Sequence, residues 1–419
     1  MAGQHGKVTG FSGNEIYCLN KLGYAPGQLC LGNNVISLGV VRGFGAGLSN
    51  LAGGEVTEIT NLVHEGRQSA YDRMMKEAEH YGGVGLAGIT FELINHVSNL
   101  EFVATGSTVR NPGGEEKLSF STAADGQQLY CQMDSGFKPH SFVFGNVAYS
   151  IGLGGSIGGV LRGLARGEVP QYTQIFDRTR HLALNRIKQE AKRVGANAVI
   201  GIQTSVMPLL GAQEMLMMGT ASSHPALNGY AMDPVTSDMT NEELWNIVNM
   251  GYMPISLVMG VSVYSLGLAS GITTGLKSLV GGQVHGLTEL LYEAREKALE
   301  RVQLDAQKCG ADEVVGVKTK IYDMGGGLVE FMVIGTAIKK MPGVTTKNQN
   351  LIPQAIIQDR DTYIESISAA GVSAVAGLAN GKASSARAAQ TGPISIIVTV
   401  IIVIFYILSA VMGGGTHHR

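Results

Sequence analysis

Gly82-Gly-Val-Gly-Leu-Ala-Gly-Ile89, Gly195-Ala-Asn-Ala-Val-Ile-Gly-Ile202 and Gly310-Ala-Asp-Glu-Val-Val-Gly-Val317 are one segment written three times in a chain of 419 residues. Working outward from it, three further landmarks keep the same spacing. Gly23-Tyr-Ala-Pro26 returns as Gly136-Phe-Lys-Pro139 and Gly251-Tyr-Met-Pro254. Gly53-Gly-Glu-Val56 returns as Arg166-Gly-Glu-Val169 and Gly281-Gly-Gln-Val284. Gly106-Ser107, Gly219-Thr220 and Gly335-Thr336 close each copy. The offsets are 113 residues and then 115 or 116, far longer than a solenoid repeat, so each copy is expected to be a domain.

Each copy carries the same punctuation. A short helix opens with a capping box, Ser12 to Glu15 in the first copy and Thr240 to Glu243 in the third. A turn at the Gly-aromatic-x-Pro motif leads into a β-rich run such as Ser141–Phe144 or Leu257–Met259. A glycine-rich, weakly amphipathic stretch follows, for example Gly43–Leu48. A long helix is expected over 55–81, 168–194 and 283–309, with Leu287, Leu290, Leu291, Ala294, Ala298, Val302 and Ala306 at helical spacing in the third copy. Gly82, Gly195 and Gly310 suit its left-handed end. A hairpin completes the copy, as in Val314–Tyr322 and Val329–Ile338. The order α-β-α-α-β-β predicts an α+β fold with helices covering one face of a small sheet.

These residues resemble the YbjQ-like family, whose label refers to heavy-metal binding. The glycine-rich stretch, the GG(E/Q)V helix start, Ala294-Arg295-Glu-Lys-Ala298 and the GA(D/N)xVxG(I/V) strand carry the resemblance, once per copy over most of residues 12–341. The first copy is the loosest, with Gly66-Arg67-Gln-Ser-Ala70 in place of the helix motif. The resemblance implies a dodecin-like β-α-β-β domain and single-domain relatives that close into pentameric rings. It brings no ligand set with it. The expected domains are an N-terminal segment 1–11, repeats at 12–110, 120–224 and 236–341, a linker 342–392 with a mildly amphipathic stretch at 363–378, and a membrane anchor at 393–413.

The anchor expectation rests on Ile394–Met412, a run without charge. At ~1.5 Å rise per residue it spans about 28 Å, near the roughly 30 Å hydrocarbon core. Lys382 and Arg387 before it would place the repeats in the cytoplasm. Charged residues make up only 15% of the chain, the net charge is -2, and no dense Lys/Arg stripe occurs, so nucleic-acid binding has no electrostatic footprint. Cys18, Cys30, Cys131 and Cys309 form no CxxC pair, and no apolar leader opens the chain, which favours a reducing compartment.

Two arginines recur in the long helix, Arg67, Arg180 and Arg295, then Arg73, Arg186 and Arg301. The second has an acid four residues on, Glu77, Glu190 and Asp305, on the same helix face. A solvated surface pair and an inter-domain salt bridge that sets the register of a ring are both open readings of this set, the second making these nine residues a candidate oligomer interface. The glycine-rich stretches lack the Lys-Ser/Thr of a phosphate loop and read as close helix packing. His64, His181 and His285 do not align between copies, and the aligned Cys18 and Cys131 meet Asn246 in the third, where thiols read as small core residues. No cofactor is expected, a metal ion stays open, and no recurring catalytic set points to an enzyme. The expected function is a membrane-anchored, ring-forming scaffold, with the bilayer and further copies of itself as partners, in fives or multiples of five. The favoured arrangement is three stacked pentamers of like domains, and the alternative sets the three copies side by side in one wider ring. The alternatives are a metal-ion or small-molecule sensor and a membrane-linked enzyme.

Overall fold

A computed structural model describes residues 8–37, 54–96, 99–114, 117–150, 166–210, 212–266, 285–325, 328–353 and 355. The three repeats share one plan. In the first, helix α1 (Gly13–Lys21) is followed by strand β1 (Ala25–Ser37), the short β2 (Gly54–Glu55), the long helix α2 (Thr57–Tyr81), and the hairpin β3 (Gly85–Asn95) and β4 (Asn99–Arg110). The second runs β5 (Phe120–Ser121), α3 (Gly126–Asp134), β6 (Lys138–Ser150), β7 (Gly167–Glu168), α4 (Pro170–Arg193), β8 (Ala198–Leu209) and β9 (Ala212–Ser223). After a 3-10 turn at Pro225–Tyr230 the third runs β10 (Val235–Thr236), α5 (Asn241–Asn249), β11 (Tyr252–Ser265), α6 (His285–Lys308), β12 (Glu313–Gly325) and β13 (Leu328–Lys340).

Local chemistry accounts for these elements. Ser12 and Thr240 form reciprocal capping boxes with Glu15 and Glu243, and Asp125 caps α3 through the N–H groups of Gln127 and Gln128. Gly23, Gly136 and Gly251 turn the chain after each short helix at φ of 79°, 86° and 84°. The last strand of each hairpin is central, pairing antiparallel with both partners. Two glycines per repeat shape this sheet. Gly88, Gly201 and Gly316 hold φ of 68°, 64° and 64° where the register slips between Ala87 and Thr90, Ile200 and Gln203, and Val315 and Lys318. They are bulge residues, which gives the repeated GxxxxxG strand motif its physical reason. Gly32, Gly145 and Gly260 lie where a Cβ would stand 2.0, 2.5 and 1.9 Å from the carbonyls of Ala70, Ala183 and Ala298. Only glycine lets strand and long helix approach that closely.

The repeats lie side by side. β2 extends the sheet of repeat 2 beside Tyr149 and Ser150, and β7 extends that of repeat 3 beside Tyr264 and Ser265. In return β5 runs parallel to β3, and β10 to β8. α2 and α4 are therefore each packed between their own sheet and the next repeat's sheet. Core residues of repeat 1, Ile59, Val63, Ala70 and Met74, share one cluster with Phe142, Phe144, Ala148 and Leu216 of repeat 2. The cluster of repeat 2 likewise runs into Leu257, Met259, Val261 and Val263 of repeat 3. The expectation of stacked rings of like domains is corrected here: unlike repeats meet through one recurring interface. The starts of the first two long helices take part in this interface through β2 and β7, and its polar partners recur between copies.

The membrane location is also corrected. Among the described residues no helix is long and apolar enough to cross a membrane. The long helices carry charged residues along their length and pack on the sheets. The expected anchor at 393–413 and the amphipathic stretch at 363–378 lie outside the described residues, as do the glycine-rich stretches. The start of the linker does have a place. Lys347 donates its backbone N–H to the Asp134 carbonyl, Asn348 donates to the Tyr130 hydroxyl at 3.3 Å, and Ala355 is buried with Cys18, Cys131 and Trp245.

Candidate assembly interface

The two seams between repeats are built from the same parts. Arg67 of α2 crosses to Glu214 of β9 as a two-pronged pair, with Nη2 2.7 Å from Oε2, and both side chains are buried. Arg180 of α4 crosses to Glu330 of β13, with Nη2 2.8 and 2.7 Å from the two carboxylate oxygens, again fully buried. Burial works against the Arg180 charge, but Glu330 more than offsets it and raises the guanidinium's pKa. Such forked pairs fix position as well as energy.

A second pair returns in the opposite direction. Arg186 reaches Glu55 of repeat 1 and Arg301 reaches Glu168 of repeat 2, both at 2.7 Å. Each of these arginines also donates to a strand carbonyl of its own repeat, Asn146 and Val261, at 2.7 Å. Arg73 makes the matching bond to the Asn33 carbonyl. Threonines complete the pattern: Thr60 accepts from the Ala148 N–H at 2.9 Å, and Thr173 from the Val263 N–H at 3.0 Å. In the first seam Asn146 donates to the Thr60 carbonyl and to Glu214, both at 3.1 Å. Tyr71 stacks on Phe142 at 5.8 Å and His64 lies 4.9 Å from Phe144.

The acids four residues after the second arginine serve elsewhere. Glu77 accepts from the Leu31 N–H at 2.6 Å, Glu190 pairs with Arg193, and Asp305 meets His181 across the second seam at 3.1 Å. Arg295 lies on the open side of α6, beside Glu296 at 3.2 Å. Reading the helix alone missed Glu55, Glu168, Glu214, Glu330, Thr60 and Thr173. The signal was available, because Glu101, Glu214 and Glu330 occupy one repeat position and Thr60, Thr173 and Thr288 another.

Cys18 and Cys131 share a buried cluster where the short helices of repeats 1 and 2 meet Trp245, and burial pushes the Cys18 thiol up to about 11. Cys30 is pushed to about 12 in the same way. Among the described residues no group of three or more His, Cys, Asp or Glu side chains is placed to hold a metal ion.

Comparison with known proteins agrees with this plan. The family described as "Putative heavy-metal-binding" (YbjQ_1) matches residues 25–111, 137–224 and 249–341. A Mycobacterium tuberculosis protein named encapsulin nanocompartment protein Rv1762c is 32% identical over 203 residues, 46% of this chain and 75% of that protein. A Lacticaseibacillus casei UPF0145 protein is 38% identical over 94 residues, 22% of this chain and 87% of its own length. Another, from Thermosipho melanesiensis, is 41% identical over 86 residues, 20% of this chain and 80% of its own length. With three matched domains joined through recurring arginine–glutamate seams, the chain belongs to the YbjQ_1 family as a tandem triple-domain member.

Proposed function

We propose that this chain is a self-assembling structural protein whose domains form a continuous ring or wall of like units. The carrying observation is the recurring seam: the same buried Arg–Glu pair, the same threonine and the same strand-to-helix packing join repeat 1 to 2 and 2 to 3. A heterologous interface of this kind propagates in one direction until rotation closes it. The name of the Mycobacterium tuberculosis relative supports a role in a protein-built compartment.

In this reading the chain works by geometry, without a catalytic set or a resident cofactor. Because the repeats lie side by side, a ring made of whole triple-repeat units has a domain count divisible by three. Native mass spectrometry and electron microscopy of the purified full-length protein test this. A defined multimer with closed or sheet-like particles is expected. A single chain at all concentrations would overturn the reading, and a stoichiometric bound metal would favour the metal-binding alternative.

A further inference from the structure

Among the described residues, the two seams leave two halves without a counterpart. On repeat 1, the outer face of β1 presents Leu29, Leu31 and Val35, 43%, 52% and 52% exposed. The same positions in repeat 2 are Phe142, Phe144 and Ala148, and in repeat 3 Leu257, Met259 and Val263, all buried against the preceding repeat's long helix. The contrast runs along the whole strand: β1 alternates between buried and open positions, while β6 and β11 are buried almost throughout. At the other end of the chain, α6 presents Tyr292, 58% exposed, and Arg295, 47% exposed. Arg295 occupies the repeat position of Arg67 and Arg180, which are 2% and 0% exposed.

The acidic half is already set. Glu101 occupies the position of Glu214 and Glu330. Asn33 donates to Glu101 at 3.3 Å as Asn146 donates to Glu214 at 3.1 Å, so the strand side of the first seam is reproduced on the open face of repeat 1. One end thus offers an arginine and an apolar helix face, the other a glutamate and an apolar strand face. They are complementary in charge and continuous with the two seams already formed.

We propose that a second copy of this chain seats its repeat 1 sheet on α6 of the first, forming a third seam in which Arg295 bonds Glu101 of the next copy. This rests on the assembly reading above and specifies its contact. Leu29, Leu31 and Val35 of the incoming copy then cover Tyr292 and Leu299, as Phe142 covers Tyr71 in the first seam. The contact is head-to-tail, so it propagates until the ring closes.

Charge reversal in the full-length protein tests this. Arg295→Glu and Glu101→Arg each place like charges across the seam, and each is expected to weaken association at least about 30-fold. Mass photometry should then show single chains of 44.1 kDa. Arg295 is exposed, whereas Glu101 is half-buried beside His96 at 2.8 Å and Asn33, so circular dichroism of each variant checks that the fold is kept. The double variant Arg295→Glu/Glu101→Arg should restore the wild-type mass. Wild-type assembly that persists in both single variants, or a double variant that stays as single chains, would overturn the third seam while leaving assembly itself intact. A wild-type protein that never associates would overturn both.

Discussion

At the scale of single residues, the seam arginines carry a sharp asymmetry. A buried ion pair contributes little net stability, yet removing one partner strands the other charge in low dielectric. Glu214→Gln should therefore cost about 3–5 kcal/mol in urea unfolding. Arg67→Met with Glu214→Leu should lie close to the wild type, because the desolvation penalty disappears with the charges. A near-neutral single variant would mean that water reaches Arg67. The His181–Asp305 contact adds a pH dependence to the second seam. The hydrogen bond to Asp305 raises the His181 pKa above 6.5, so its stabilising contribution is complete below that value and fades as pH rises through the raised native value. Burial opposes ionisation of Asp305, but His181 and Lys308 hold its carboxyl below 3.8, so that part is lost only as pH falls through the lowered native value. The stability difference between wild type and His181→Gln should accordingly be largest near pH 5–6 and shrink towards pH 9. Of the four cysteines only Cys309 is exposed. A thiol reagent at neutral pH should label one site in the native protein and four after denaturation.

At the scale of elements, two glycine positions make a contrast that calorimetry can read. Gly201→Ala puts its Cβ at an ordinary contact distance, 3.4 Å, from Asn241 Oδ1 but must hold φ of 64°, which should cost about 1–2 kcal/mol. Gly145→Ala would put its Cβ 2.5 Å from the Ala183 carbonyl, so β6 must lift off α4 and the loss should be larger. Equal effects would show that the strand can retreat from the helix at no cost. Much of this level was legible in the sequence. Periodicity and caps located the long helices to within about two residues, because the Gly stop and the Ala/Leu stripe are local signals. The capping boxes at Ser12 and Thr240 were equally plain. What stayed hidden was non-local. Arg67 and Glu214 are 147 residues apart, and neither segment says where the other lies. Arg186 was read with Glu190 because helical spacing makes them neighbours, whereas the side chain reaches past it to Glu55. The short strands β2, β5, β7 and β10 have no pattern of their own, since two residues cannot show a period.

At the scale of the whole molecule, the shared cores decide how it comes apart. Among the described residues, the main clusters run from repeat 1 into 2 and from 2 into 3, and the third repeat adds one of its own between α6 and its sheet. Calorimetry should give overlapping transitions rather than three separable ones. Disrupting the first seam, for example by Glu214→Gln, should lower the unfolding temperature of repeats 1 and 2 together. Three separate transitions would show that the seams are weaker than the domains.

The strap at 347–355 adds a matter of timing. Its Asn348 bonds Asp134 and Tyr130, and Ala355 closes the pocket containing Cys18 and Cys131, yet it is made long after them. A ribosome adding about 5–20 residues per second reaches residue 355 roughly 10–45 s after residue 134. During that interval the short helices of the first two repeats stand without their cover, and α2 waits for the strands of repeat 2 before its second face is closed. The nascent chain therefore matures from its first residues last, and its opening domain is the one with the longest need of shielding from premature contact.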